Sequence, residues 1–217
     1  MSQGFILGVD LDGVCGDYTS AFRTVVAKEL DVDPETLGDA RSWDFAEWGI
    51  EGPEEFDRLH RKAVLEHRMF RHMPAFPGVA ESLWRLSDAG VWIRIITHRL
   101  YVNWGHAIAV ADTVAWLDDT GIPYRDICFL GAKPEVDADC YVDDAVHNVV
   151  ALREAGNHVI VYDAPYNRSV EGPRATSWGE VESMVLDRVA ETGVGIQSQL
   201  PGLDAGPERL TRRVSLH

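Results

Sequence analysis

Two carboxylates stand two positions apart in Asp10-Leu11-Asp12, directly after the apolar run Phe5-Ile6-Leu7-Gly8-Val9 and directly before Gly13. A second pair, Asp143-Asp144, closes another apolar run, Tyr141-Val142. Between the pairs lie Thr97, at the end of Ile95-Ile96, and Lys133, in the loop Gly131-Ala132-Lys133-Pro134. Groups of these types can work together. A carboxylate can act as a nucleophile or exchange a proton. Neighbouring carboxylates raise each other's pKa unless a cation lies between them, and a hard cation takes oxygen ligands. A hydroxyl and an ammonium complement developing negative charge. Each group alone has a plainer explanation: a strand end running into an Asx turn, a β-branched strand residue, a solvated loop lysine. Their order, and their shared place at strand ends or in nearby loops, joins them.

Positioning such groups takes strands that end together. The run before Asp10 reads as a strand buried on both faces, as in a parallel sheet. Side chains two apart on a strand point the same way, so Asp10 and Asp12 are expected to face one pocket until the chain turns. Open α/β sheets bind ligands there, outside the carboxyl ends of their strands. From Gly78 onward strand and helix patterns alternate, which predicts βαβ units and a parallel sheet. Helices are expected over 79–89, about 104–119, 146 to about 156 and near 179–189. Strands are expected over 91–97, 127–130, 140–142 and 158–162.

The piece between the first strand and Gly78 is different. Phe22, Val26 and Leu30, with Val25 beside them, form a helical stripe. Asp33-Pro34-Glu35 carries a helix start, with Asp as cap and Pro at the first position. Trp43, Phe45 and Trp48 then mark an irregular aromatic stretch, and 53–68 reads as a further helix through Phe56, Leu59, Ala63 and Leu65. Strand-to-helix connections are normally short, so an insertion of this length marks a separate functional element such as a lid. The expected division is a core of 1–16 and 76–190, an inserted unit of 17–75, and an unperiodic tail of 191–217 that is peripheral or disordered.

A chain of 217 residues, 46% hydrophobic and 25% charged, suits one domain with an insertion. The formal net charge of −15 argues against a nucleic-acid polymer or an anionic membrane surface as partner. A phosphorylated small molecule stays open, because a bound divalent cation inverts the local field. The 3 cysteines lack CxxC spacing, which suggests neither a disulfide framework nor a zinc site. With no leader pattern at the start and no apolar run of about 18 residues, the expected location is cytoplasmic.

The ordered set Asp10-x-Asp12, Thr97, Lys133 and Asp143-Asp144 resembles the four motifs of the haloacid dehalogenase-like (HAD) hydrolase superfamily. The resemblance implies an α/β fold: a doubly wound parallel sheet with a Rossmann-like core, and 17–75 as a small helical cap closing over the active site. It implies Asp10 as nucleophile, forming an aspartyl-phosphate. It implies Asp12 as the general acid that protonates the ester oxygen and then activates water. The dehalogenase branch lacks an acid at that position, so Asp12 favours phosphoryl transfer. Thr97 and Lys133 would hold the transferring group. Mg²⁺ is the implied cofactor, with ligands from the Asp10 carboxylate, the Asp12 backbone carbonyl and one of Asp143 and Asp144. The nucleotidase branch points to Asp144 as the direct ligand, with Asp143 behind it.

Within the superfamily, Asp10 to Tyr18, Pro77-Gly78, Ile96-Thr97, Lys133, Val142-Asp143-Asp144, Tyr166-Asn167-Arg168 and Trp178 are similar to the cytosolic-type 5′(3′)-deoxyribonucleotidase family, over roughly residues 5–190. Members of that family remove phosphate from nucleoside monophosphates, with deoxy-pyrimidine forms preferred in the best-known cases. An aromatic pocket sandwiches the base, and the matching positions here are Tyr18, Trp43 and Phe70. Stacking suits any base, so the pocket does not choose one. After Thr97 the better-known members carry smaller, uncharged residues, whereas this chain has His98-Arg99. Arg99 offers a bidentate grip on a second phosphate or an acidic group, and His98 a further donor. The bulky stretch Tyr101-Val102-Asn103-Trp104 follows. The expected activity is thus a Mg²⁺-dependent 5′-nucleotidase acting on a small phosphomonoester, with no nucleic-acid polymer and no membrane as partner; a homodimer is compatible with the sequence. Two further readings stay open. One is a HAD phosphatase for a non-nucleotide ester, with Arg99 reading a carboxylate or sugar phosphate. The other is a non-catalytic nucleotide-binding protein of the same fold.

Overall fold

The computed structural model describes residues 4–100 and 104–193. Ile6–Val9 (β1) has no polar side chain and is buried throughout, as a strand covered on both faces must be. It forms an inner strand of a six-stranded sheet with Trp92–Thr97 (β2), Asp126–Phe129 (β3), Cys140–Asp143 (β4), Val159–Tyr162 (β5) and Arg174–Ala175 (β6). All pairings are parallel and the order is β3-β2-β1-β4-β5-β6. The chain winds outward in one direction from β1 to β3 and in the other from β4 to β6. The strand order therefore reverses beside β1, where open sheets leave a crevice at their carboxyl ends.

Helices Val79–Asp88 (α4), His106–Thr120 (α5), Val146–Glu154 (α6) and Trp178–Thr192 (α7) cover the sheet. One core cluster joins Leu7, Val9 and Ile95 to Leu83 and Leu86 of α4 and to Val181 and Val185 of α7. Another joins Ile96, Tyr141 and Val161 to Val149 and Leu152 of α6. These layers match the alternating pattern expected from the sequence, with shifts of one to three residues at several ends. The two-residue β6 was not expected, since a strand that short has no periodicity to read. Arg174 holds it in place through Asp163 at 2.7 Å and the Asn167 carbonyl at 2.9 Å.

Residues between β1 and α4 form Tyr18–Leu30 (α1), Gly52–Leu65 (α2) and the single turn Met69–His72 (α3), with short 3-10 turns between α1 and α2. Asp33 caps the first of those turns, as expected, by accepting from the Glu35 N–H. The expected helix over 53–68 instead ends at Leu65, and Arg68, at a left-handed φ of 52°, stands at the N-cap of α3. Phe22, Phe45, Trp48, Leu59 and Phe70 gather in a cluster of their own. Leu30, expected on the buried stripe of α1, is 41% exposed. The helix ends there, with Asp31 in the left-handed region, so its last turn lies past the packing surface. This unit meets the rest of the chain largely through α5: the Arg68 guanidinium grips Asp112 at 2.5 and 2.6 Å, and the Trp116 indole donates to the Met73 carbonyl at 2.7 Å. Tyr101, Val102 and Asn103, and the tail from 194 onward, lie outside the described residues.

Candidate active site

The register of the sheet builds the centre. Val9 pairs with Val142, and the Asp10 N–H donates to the Val142 carbonyl at 3.1 Å, which sets Asp10 beside the end of β4. Asp10, Asp143 and Asp144 are all buried, and one oxygen from each lies within 4.8 Å of the others. Lys133, itself buried, lies between two of them: its Nζ is 2.6 Å from Asp10 Oδ1 and 2.6 Å from Asp143 Oδ2. Three carboxylates against one ammonium leave an excess of buried negative charge. Burial raises the Asp10 pKa to about 7; Lys133 opposes the rise, while Asp143 and Asp12 add to it. Burial, reinforced by Asp10 and Asp143, also pushes Asp144 well above the usual carboxylate range. For Lys133 burial favours the neutral amine, but its two carboxylate neighbours outweigh that and raise its pKa.

The carboxylates differ in how their oxygens are used. Asp143 Oδ1 accepts from the Ala145 N–H at 3.0 Å and the Asn148 amide at 3.2 Å, and Oδ2 accepts from Lys133. Asp144 Oδ2 accepts from the Tyr166 hydroxyl, whereas its Oδ1 is buried without a hydrogen-bond partner. An orphaned buried oxygen among mutually repelling carboxylates suits a hard cation, so the residues present fit a divalent metal. The carboxylate of Asp12 is not part of this group.

The chain leaves β1 through a tight turn. The Cys15 and Gly16 N–H groups both donate to the Leu11 carbonyl, and Trp178 anchors the turn at the Val14 carbonyl. Gly13 has a φ of 80°, and a Cβ there would lie 2.1 Å from Asp144 Oδ2 and 3.0 Å from the Tyr166 hydroxyl oxygen. No other residue type fits. The turn gives Asp12 partners other than those of Asp10, yet both carboxylates line one cavity, as strand geometry suggested.

Over these strand ends lies a cavity of about 370 Å³. Asp10, Asp12 and Asp144 line it from the sheet, with His98, Arg99, His147 and Tyr166 beside them; Tyr18, Trp43, Phe45, Phe56, His60 and Phe70 line it from the inserted segment between β1 and α4. Trp43 is 54% exposed and meets His147 and Tyr166 edge-on at 5.4 and 5.3 Å. Tyr18 stacks on Phe45 at 6.2 Å. Phe70 is buried, with its ring under the Arg99 guanidinium at 4.2 Å. Thr97 and Lys133 do not line this cavity; both are buried, and Lys133 reaches it through Asp10.

Arg99 departs from the expectation. Its fork was expected to face a second phosphate or an acidic substrate group, but it is closed on Asp12 at 2.7 and 3.0 Å. His98 stacks loosely on His147 at 6.4 Å, and burial and the nearby Lys133 lower its pKa. Sequence reasoning gave no role to His60, Phe56, His147 or Tyr166 in the cavity wall. His60 and Phe56 stand four apart on α2, a spacing that core packing produces equally well. Tyr166 lies in the 3-10 turn Pro165–Asn167, too short to carry a period, and only folding brings it to Asp144.

A family model described as 5′ nucleotidase, deoxy (pyrimidine), cytosolic type C protein matches residues 4–191. A protein of Chlorobaculum tepidum described as "Putative 5′(3′)-deoxyribonucleotidase" is 44% identical over 183 residues, covering 84% of this chain and 91% of that protein. One from Bordetella bronchiseptica with the same description is 27% identical over 175 residues, covering 78% and 89%. Among solved structures, a haloacid dehalogenase-like family hydrolase from Streptococcus pneumoniae is similar at a TM-score of 0.59, with 14% identity over 85% of this chain and 100% of that one. A "predicted phosphatase" from Clostridium acetobutylicum gives 0.58, with 15% identity over 86% and 100%. At such identities the structures speak for the fold alone. The sequence match runs from before β1 to the last turn of α7. The chain accordingly belongs to the 5′ nucleotidase, deoxy (pyrimidine), cytosolic type C family, as a phosphoric monoester hydrolase on a HAD-like α/β fold.

Proposed function

We propose that this chain is a Mg²⁺-dependent phosphatase of nucleoside monophosphates, working through an aspartyl-phosphate on Asp10. A carboxylate oxygen of Asp10 attacks phosphorus, the ester P–O bond breaks, and Asp12 gives its proton to the departing oxygen. Water then attacks the aspartyl-phosphate, Asp12 takes the proton back, and inorganic phosphate leaves. Lys133 holds the attacking carboxylate and complements charge on the phosphoryl group, and the Thr97 hydroxyl serves the same group. Asp10, Asp144 and the Asp12 backbone carbonyl are the ligands we assign to the cation, with Asp143 orienting Lys133. Bound there, Mg²⁺ neutralises the carboxylates and the phosphate oxygens.

The observation that carries this reading is the composition of the cavity. Buried carboxylates form its floor, with one ammonium behind Asp10, and aromatic rings, Tyr18, Trp43 and Phe70 among them, form its wall. A phosphate belongs at the first and a nucleobase against the second. Residues 17–75 supply that wall and pack around their own cluster, in keeping with a cap over the site. A cytosolic location goes with the family, and among the described residues no helix is long and apolar enough to cross a membrane.

The test is phosphate release from ribo- and deoxyribonucleoside 5′- and 3′-monophosphates, beside sugar phosphates, with Mg²⁺ and with chelator. Nucleotide turnover well above that of sugar phosphates, and lost on chelation, is the expected result. Preferred turnover of sugar phosphates would overturn the substrate while leaving the chemistry. Undiminished turnover in chelator would overturn the cation.

A further inference from the structure

Arg99 carries a positive charge that the steps above leave without a task. Its side chain is 0% exposed, an unusual place for a guanidinium, and Asp12 is the only carboxylate it pairs with among the described residues. Nε lies 3.0 Å from Asp12 Oδ2 and Nη2 lies 2.7 Å from Oδ1, the fork geometry that fixes a carboxylate plane as well as its position. Nη1 donates to the Thr113 hydroxyl at 3.0 Å, and Thr113 is anchored in turn on the Ala109 carbonyl at 2.7 Å within α5. The guanidinium carbon lies 4.2 Å from the Phe70 ring centroid and 5.5 Å from that of Trp116.

Two side-chain torsions of Asp12 would otherwise be free on a turn that leaves its side chain 27% exposed. A planar cation held by hydrogen bonds at its edge and by aromatic contacts removes that freedom. A lysine offers a point charge and fixes no plane.

We infer that Arg99 is a positioning residue for Asp12, holding its carboxyl in the orientation from which the proton passes to the leaving-group oxygen. The inference rests on Asp12 being the general acid of the proposed reaction. It also accounts for the departure at this position: the fork expected to read an anionic substrate is used to aim the acid. Phe70 then serves twice, as cavity wall and as the surface on which Arg99 lies.

Leaving-group dependence separates positioning from mere structural support. An alkoxide leaving a nucleoside 5′-monophosphate needs the proton, whereas p-nitrophenolate does not. The quantity to compare is kcat/KM, which covers the steps up to loss of the leaving group. For Arg99→Met we expect a loss of about a hundredfold with the nucleotide and of less than about fivefold with p-nitrophenyl phosphate, the scale of one general acid. Arg99→Lys, which retains charge and most of the packing, should show the same selectivity at smaller size and remains informative if Arg99→Met fails to fold. Equal losses on both substrates in a folded Arg99→Lys protein would overturn the proposal. Asp12→Asn is the reference. If it is selective for the nucleotide and the Arg99 variants are not, the positioning role fails and the acid stands. If Asp12→Asn shows no selectivity, the acid assignment fails and the positioning role goes with it.

Discussion

The two walls of the cavity obey different physics. On the sheet side, Asp10 and Asp144, with Lys133 and Asp143 behind them, are buried ionisable groups held against their own desolvation. On the helix side, Phe45, Phe56 and Phe70 pack much as a core packs, with Phe45 stacked on Trp48 at 4.6 Å. The first wall spends stability on reactivity, and the second supplies stability while shaping what can enter. Removing a group from one wall should therefore move activity and stability in a different combination from removing a group from the other.

Asp10→Asn is the strongest test of that contrast. Turnover should fall by about 10⁴-fold or more, since the nucleophile itself is gone. Stability should move the other way. The folded pKa of Asp10 is raised to about 7 from 3.8, so its favourable contribution is complete only below the unfolded value and is lost as pH rises through about 7. At pH 8 in chelator the Asn variant should melt above the parent protein; a lower melting temperature would break the comparison.

Lys133→Met removes the one ammonium between two buried carboxylates, and a cost of about 3–5 kcal/mol is expected from the charges left behind. Urea unfolding in chelator measures it. Phe45→Ala should cost about 3 kcal/mol through lost packing and the cavity it leaves. Its signature in kinetics is a raised KM for nucleotides with little change in kcat. A large fall in kcat would show that the aromatic wall takes part in the chemistry.

The cation supplies a smaller and graded test. Mg²⁺ binds the ionised carboxylates, so it should raise the melting temperature more at pH 8 than at pH 6. Each kcal/mol gained corresponds to about 2–4 °C in a chain of this size. A rise independent of pH would place the ion elsewhere. The smallest effect belongs to Trp43→Ala at the exposed mouth, where stability should change by less than about 0.5 kcal/mol. A several-fold higher KM for nucleotides, with that for p-nitrophenyl phosphate unmoved, would sharpen the assignment of this ring to the base.

The sequence determined the order of strands and helices in the core because each carries its own period. It also determined that Asp10, Thr97, Lys133 and Asp143-Asp144 fall at strand ends or in nearby loops, because an apolar run that stops at a polar residue is visible in one dimension. Tertiary structure decided which of those groups share partners. Strand geometry put Asp10 and Asp12 on one face, and both do line one cavity, but only the fold gives Asp10 to Lys133 and the Asp143-Asp144 pair, and Asp12 to Arg99. Arg99 shows the reason most directly. Its neighbours Thr113 and Trp116 lie on α5 and Phe70 on α3, and no local pattern connects them. Tyr166 and His60 reach the cavity in the same way. A short-range signal reports how each segment is built, whereas the pairing of a buried charge is set by whichever distant segments fold around it.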